Sequence, residues 1–199
     1  MKTDYRGPRP TPRYRIGPQI IPIFCVGLLT TVPSAWGAPH TTKNQQTGLV
    51  TWQSEEAGFS LSLKQLTPDN VSALYESMGA SQGIVKGVAA YCVFETDARN
   101  LSHVPITYNV TNWRAVTADG VEHPLQTKIG WQKIWKVLGV NYGLTIFPAA
   151  QTFQPGDWGE GFTTVKLPPK TKFDLTYTWS ENGQIHKSQL VGLQCASNN

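Results

Sequence analysis

Between residues 173 and 179, Phe173, Leu175, Tyr177 and Trp179 alternate with Asp174, Thr176 and Thr178. Successive side chains of a strand point to opposite faces, so this order puts four large apolar groups on one side and three polar groups on the other. Such a segment persists only in a sheet with one buried face. Similar grammar recurs along the chain. Residues 49–53 read as a first strand, and 59–63 alternate through Phe59, Leu61 and Leu63. Residues 88–96 hold Cys92 in an apolar run, and 105–113 place Ile106, Tyr108 and Val110 on one side. Residues 143–147, 161–167 and 185–195 read as further strands. Asp119 and Gly120 mark a hairpin between 114–117 and 121–125, and Pro155, Gly156 and Asp157 mark another turn.

Two segments change period. Thr67 stands before Pro68 as a helix cap, and Val71, Leu74, Tyr75 and Met78 follow at helical spacing up to Gly79. In residues 130–139, Trp131, Ile134, Trp135 and Leu138 follow the i, i+3, i+4, i+7 pattern; a helix so short needs packing to persist. Roughly seven to nine short strands with one or two short helices predict a mainly β fold. The expected form is a single antiparallel β-sandwich of immunoglobulin-like architecture over residues 47–199. Nothing alternates strand with long helix, which excludes a doubly wound α/β fold.

The amino-terminal segment has a different character. Lys2, Arg6, Arg9, Arg13 and Arg15 stand against one acid, Asp4, ahead of an apolar run at residues 20–29. A basic region followed by an apolar one is the order of a secretory signal peptide. The run is broken by Pro22 and Gly27 and falls short of the ~20 residues a spanning helix needs. Small residues at Ala35 and Gly37 place cleavage after Gly37. Residues 1–37 therefore read as a cleaved signal peptide and 38–46 as a flexible lead-in; the competing reading is an uncleaved anchor. The expected location is periplasmic or secreted, with no stable membrane span left after cleavage.

Cleavage alters the charge and cysteine inventory. The whole chain carries a formal +4, but residues 1–37 hold five basic side chains and one acidic, leaving twelve of each. A neutral domain lacks the basic footprint of phosphate-driven binding, which argues against a nucleic-acid or anionic-membrane partner. The spaced Lys128, Lys133 and Lys136 are the longest basic grouping that remains. Cys25 leaves with the signal peptide. Cys92 and Cys195 stay, and a single pair in an exported chain predicts a disulfide, with two free buried thiols as the alternative.

Catalytic motifs are sparse. His40, His103, His123 and His186 follow the cleavage point, yet no two stand at a paired-ligand spacing. His103, His123 and His186 are weak metal candidates. A start at Ala38 would put His40 third, as in amino-terminal copper motifs, but Pro39 has no amide proton to lose. No cofactor is implied, and no nucleophile elbow occurs. Asp157 and Glu160 are near enough in sequence to share a surface, while Asp157 reads equally well as a turn former. Asn70, Asn100 and Asn109 head Asn-x-Ser/Thr triplets, which matter only in a glycosylating host.

Aromatic residues are the strongest functional signal. Trp52, Trp113, Trp131, Trp135, Trp158 and Trp179 follow the cleavage point. Trp113 and Trp179 read as core. Trp131 and Trp135, on the lysine-flanked helix, and Trp158 beside Asp157 form the candidate interaction surface, since indoles combine large contact area with a polar handle. The competing reading has the helix plugging an open end of the core. The expectation is an exported, non-catalytic binding or accessory module that recognises a protein or envelope component through these tryptophans. One alternative is a carbohydrate-binding module with two or more of the indoles on one face. Another is a metal-binding protein or enzyme built from dispersed histidines and carboxylates.

Overall fold

The computed structural model describes residues 39–143 and 145–197, so the expected signal peptide lies outside the described residues. Ala35–Asn199 forms one compact unit by itself. In chain order its elements are β1 (His40–Lys43), β2 (Val50–Glu56), β3 (Phe59–Leu66), α1 (Pro68–Ser77), α2 (Gln82–Ala89), β4 (Cys92–Asn100), β5 (Ile106–Asn109), β6 (Arg114–Thr117), β7 (Glu122–Gln126), α3 (Lys128–Val137), β8 (Ala150–Phe153), β9 (Trp158–Val165), β10 (Lys172–Glu181) and β11 (Gln184–Gln194).

The eleven strands among the described residues pair antiparallel in one open sheet. Its order is β1-β2-β3-β4-β9-β7-β6-β10-β5-β8, with β11 added on β10. β7 is the link between the halves. It pairs with β9 through Leu125 and Gln126, and with β6 through Glu122, His123 and Pro124. The hydrogen bonding therefore describes one continuous sheet. The apolar faces of its two halves meet: Phe59 of β3 stacks on Trp179 of β10 with ring centroids 5.3 Å apart, and Phe94 of β4 meets Phe173 of β10 at 5.9 Å. The alternating residues Phe173, Leu175, Tyr177 and Trp179 are all buried, as their period requires. Cys92 and Cys195 form the expected disulfide across a sequence separation of 103, tying β4 to the segment after β11.

A second core lies on the outer side of β4 and β9, beneath the helices. Val71, Tyr75, Ile84, Val85, Val88, Trp131 and Trp135 pack there on Val93 and Ile146. α1 begins with a reciprocal cap between Thr67 and Asn70, and α3 begins where Thr127 accepts from the Gly130 amide at 3.2 Å. Gly79 and Gly139, with φ of 76° and 70°, follow the two helix ends in the left-handed conformation that glycine tolerates.

Four local expectations are corrected. Residues 40–43 of the polar lead-in form the edge strand β1 against β2. Residues 82–89 make a third helix although Gly83 and Gly87 disfavour one, because Ile84, Val85 and Val88 are buried under α1 and α3. Val110 leaves the strand for a 3-10 turn capped by Asn109. Residues 143–147 form no strand among those described. Ile146 makes a single parallel bridge to Phe162, and the Phe147 amide donates to the Phe162 carbonyl at 3.0 Å. That approach depends on Gly161, where a Cβ would stand 2.6 Å from the Phe147 nitrogen.

Candidate functional site

The helices cover only one end of the outer face of β1, β2, β3, β4 and β9. The remainder is open, and strand register sets its side chains in rows. Paired residues in antiparallel strands share a face, so His40, Gln53, Ser62, Asp97 and Glu160 form one row across five strands. Glu55 or its neighbour Glu56 is no part of that row; Glu55, Ser60, Arg99 and Trp158 form the row on one side of it. Thr42, Thr51, Lys64, Glu95 and Phe162 form the row on the other.

Gln53, Ser62, Asp97 and Glu160 of the first row, with Glu55, Ser60 and Arg99 on one side and Thr51, Lys64 and Glu95 on the other, line a trough of about 520 Å³. A second depression of about 470 Å³, bordered by Leu66, Leu74 and Phe162, shares Glu95 and Glu160 with it. The trough floor is organised by ion pairs. Lys64 Nζ lies 2.7 Å from Glu95, and Arg99 donates through Nε to Asp97 at 2.7 Å and through a terminal nitrogen at 3.3 Å. Arg99 also lies over the Trp158 ring, 5.9 Å from its centroid, within cation–π range. Asp97 holds the Arg99 guanidinium above its ordinary value, first by hydrogen bonding and then by charge. Asp97 and Glu160 face each other as like charges, an unfavourable cross-strand pair that Arg99 relieves on the Asp97 side only.

No family model, curated protein or solved structure matches this chain. Its function must be read from the chemistry of the site.

The expected tryptophan surface is divided by the fold. Trp131 and Trp135 are 2% and 1% exposed, so they offer no contact area, and this part of the expected interaction surface is corrected. Their rings stack 5.3 Å apart, Tyr91 closes over Trp131 at 4.8 Å, and the Trp131 indole donates to the Thr164 hydroxyl at 2.9 Å. They close the helical core, because the helical stripe that carries apolar groups turns to the sheet. Trp158 is 55% exposed and opens β9 next to the trough. Asp157 accepts from the Gln154 amide at 2.8 Å and closes the turn before β9. It therefore positions Trp158, while Glu160 faces the trough.

The histidines lie apart in the fold. His103 is exposed after β4, while His123 on β7 approaches the Thr117 hydroxyl at 3.4 Å. His186 on β11 stacks on Trp179 at 5.3 Å and stands 3.7 Å from Glu181. Among the described residues no group of three His, Cys, Asp or Glu side chains is arranged to hold a metal.

Sequence reading missed Gln53, Ser62, Asp97 and Arg99. The signal was present in β4, where Glu95, Asp97 and Arg99 alternate with the buried Phe94, Thr96 and Ala98. Their neighbours on β2, β3 and β9 come from distant parts of the chain, and only register brings them together.

Proposed function

We propose that this chain is an exported, non-catalytic binding module whose ligand face is the open trough on β1, β2, β3, β4 and β9, and whose ligand is a hydroxyl-rich glycan. Its body is a sheet folded over in sandwich fashion, with the disulfide suited to a periplasmic or secreted location.

The observation that carries this reading is the exposed Trp158 beside Arg99, next to a trough lined with polar side chains. Sugar rings present apolar C–H faces and hydroxyl edges. An indole supplies a flat apolar platform, and Gln53, Ser62, Asp97 and Glu160 supply donors and acceptors along one row. Lys64 and Arg99 are already paired with Glu95 and Asp97, so the face has little cationic charge to offer an anion. The volume falls within the usual range of small-molecule sites. Trp131 and Trp135 are buried, so the two indoles on one face expected of a carbohydrate-binding module are not present among the described residues, and the platform proposed here is Trp158 alone.

A protein or envelope partner at the same face is the second reading, favoured by the Trp158–Arg99 pair, since these residue types are enriched at interface hot spots. A glycan array followed by calorimetry on the best ligand separates the two. The glycan reading predicts binding that W158A and Q53A weaken. Folded protein that binds no glycan, yet retains from its native compartment a protein partner that W158A releases, would replace it with the second reading.

A further inference from the structure

We infer that the outward face of α3 docks the domain on an anionic phospholipid bilayer. This does not rest on the glycan reading, because α3 contributes no residue to the trough.

Trp131 and Trp135 fix the inward side of α3, so Ile129, Lys133 and Val137, at successive i+4 spacings, line the opposite side. Val137 is 87% exposed and Ile129 53%, both large values for aliphatic side chains. Lys133 and Lys136 stand exposed beside them. A helix face that interleaves aliphatic groups with lysine suits the boundary between headgroups and acyl chains, where the apolar groups insert and the ammonium groups meet phosphate.

Charge complementarity selects the occupant. The domain after the cleavage point is neutral in sum but not in distribution. From residue 123 to residue 156 the sequence holds three lysines and no Asp or Glu. α2 adds Lys86 and no acid, and the acids of the helical layer, Asp69 and Glu76, both belong to α1. The carboxylates Glu55, Glu95, Asp97 and Glu160 collect instead around the trough. Adding whole-chain charges hides this segregation, which arises because α3 and the trough lie on different parts of the surface.

The test is flotation of the chain begun at Ala38 with vesicles of phosphatidylglycerol and phosphatidylcholine, or of phosphatidylcholine alone. Binding is expected only with phosphatidylglycerol and should weaken as salt rises. K133Q/K136Q should lower the partition coefficient on the order of twentyfold, since each lysine near such a surface contributes roughly a factor of five. V137D should lower it as well, and W158A should leave it unchanged, with thermal unfolding of each variant as the control. Equal binding to both vesicles, binding to neither, or parent-like binding by K133Q/K136Q and V137D would overturn the proposal. So would a dimer in free solution that V137D dissociates and that binds no vesicle, because a second copy would then cover this face.

Discussion

The guanidinium of Arg99 lies 5.9 Å over the indole of Trp158 while it grips Asp97 at 2.7 Å. One side chain thus holds the platform and neutralises a carboxylate of the trough floor. Removing either partner has separable consequences for binding and for stability.

Trp158→Ala should reduce glycan affinity about tenfold or more, the effect of losing roughly 1.4 kcal/mol of contact. Its effect on folding should stay within about 0.5 kcal/mol, as for most exposed positions. Calorimetric titration beside urea unfolding measures both. A variant that unfolds easily and binds normally would reassign Trp158 to the scaffold.

Trp131→Ala should do the reverse. It empties a buried site and removes the donor to Thr164, so urea unfolding should show a loss of about 3–5 kcal/mol. Trp131→Phe keeps much of the ring volume and should recover most of that loss. Glycan binding by the folded fraction should remain.

Disulfide loss acts on the unfolded chain. Cys92 and Cys195 close a loop with a sequence separation of 103, and the chain-entropy model assigns a loop of that size about 4.7 kcal/mol. Cys92→Ala/Cys195→Ala should lower stability by an amount of that order in urea. Reductant should lower the midpoint of the parent and leave that of the double variant unchanged.

Alkaline pH should unfold the domain through its buried tyrosines. Burial pushes the hydroxyl of Tyr108 well above its ordinary value of 10.0, and Tyr75 and Tyr177 rise for the same leading reason. The unfolded chain releases these protons first. Their stabilisation is therefore complete below about pH 10 and is lost as pH rises toward the folded values. Melting temperature followed from neutral pH upward should fall above that point, and Tyr108→Phe should make the fall shallower.

The sequence by itself determined the parts governed by local period and local chemistry. The alternation from Phe173 to Trp179 predicted a half-buried strand, Thr67 and Pro68 a helix start, and Cys92 and Cys195 a disulfide pair. Tertiary structure decided everything that depends on which distant segments meet. It turned Trp131 and Trp135 inward, because the second core needed a lid, and left Trp158 outside. It made a helix of residues 82–89 against their glycine content, since burial of Ile84, Val85 and Val88 outweighs weak propensity. It also placed Gln53, Ser62, Asp97 and Glu160 side by side. Their row exists only through the register of β2, β3, β4 and β9, and a slip of one residue in any of these strands would turn its side chains to the other face.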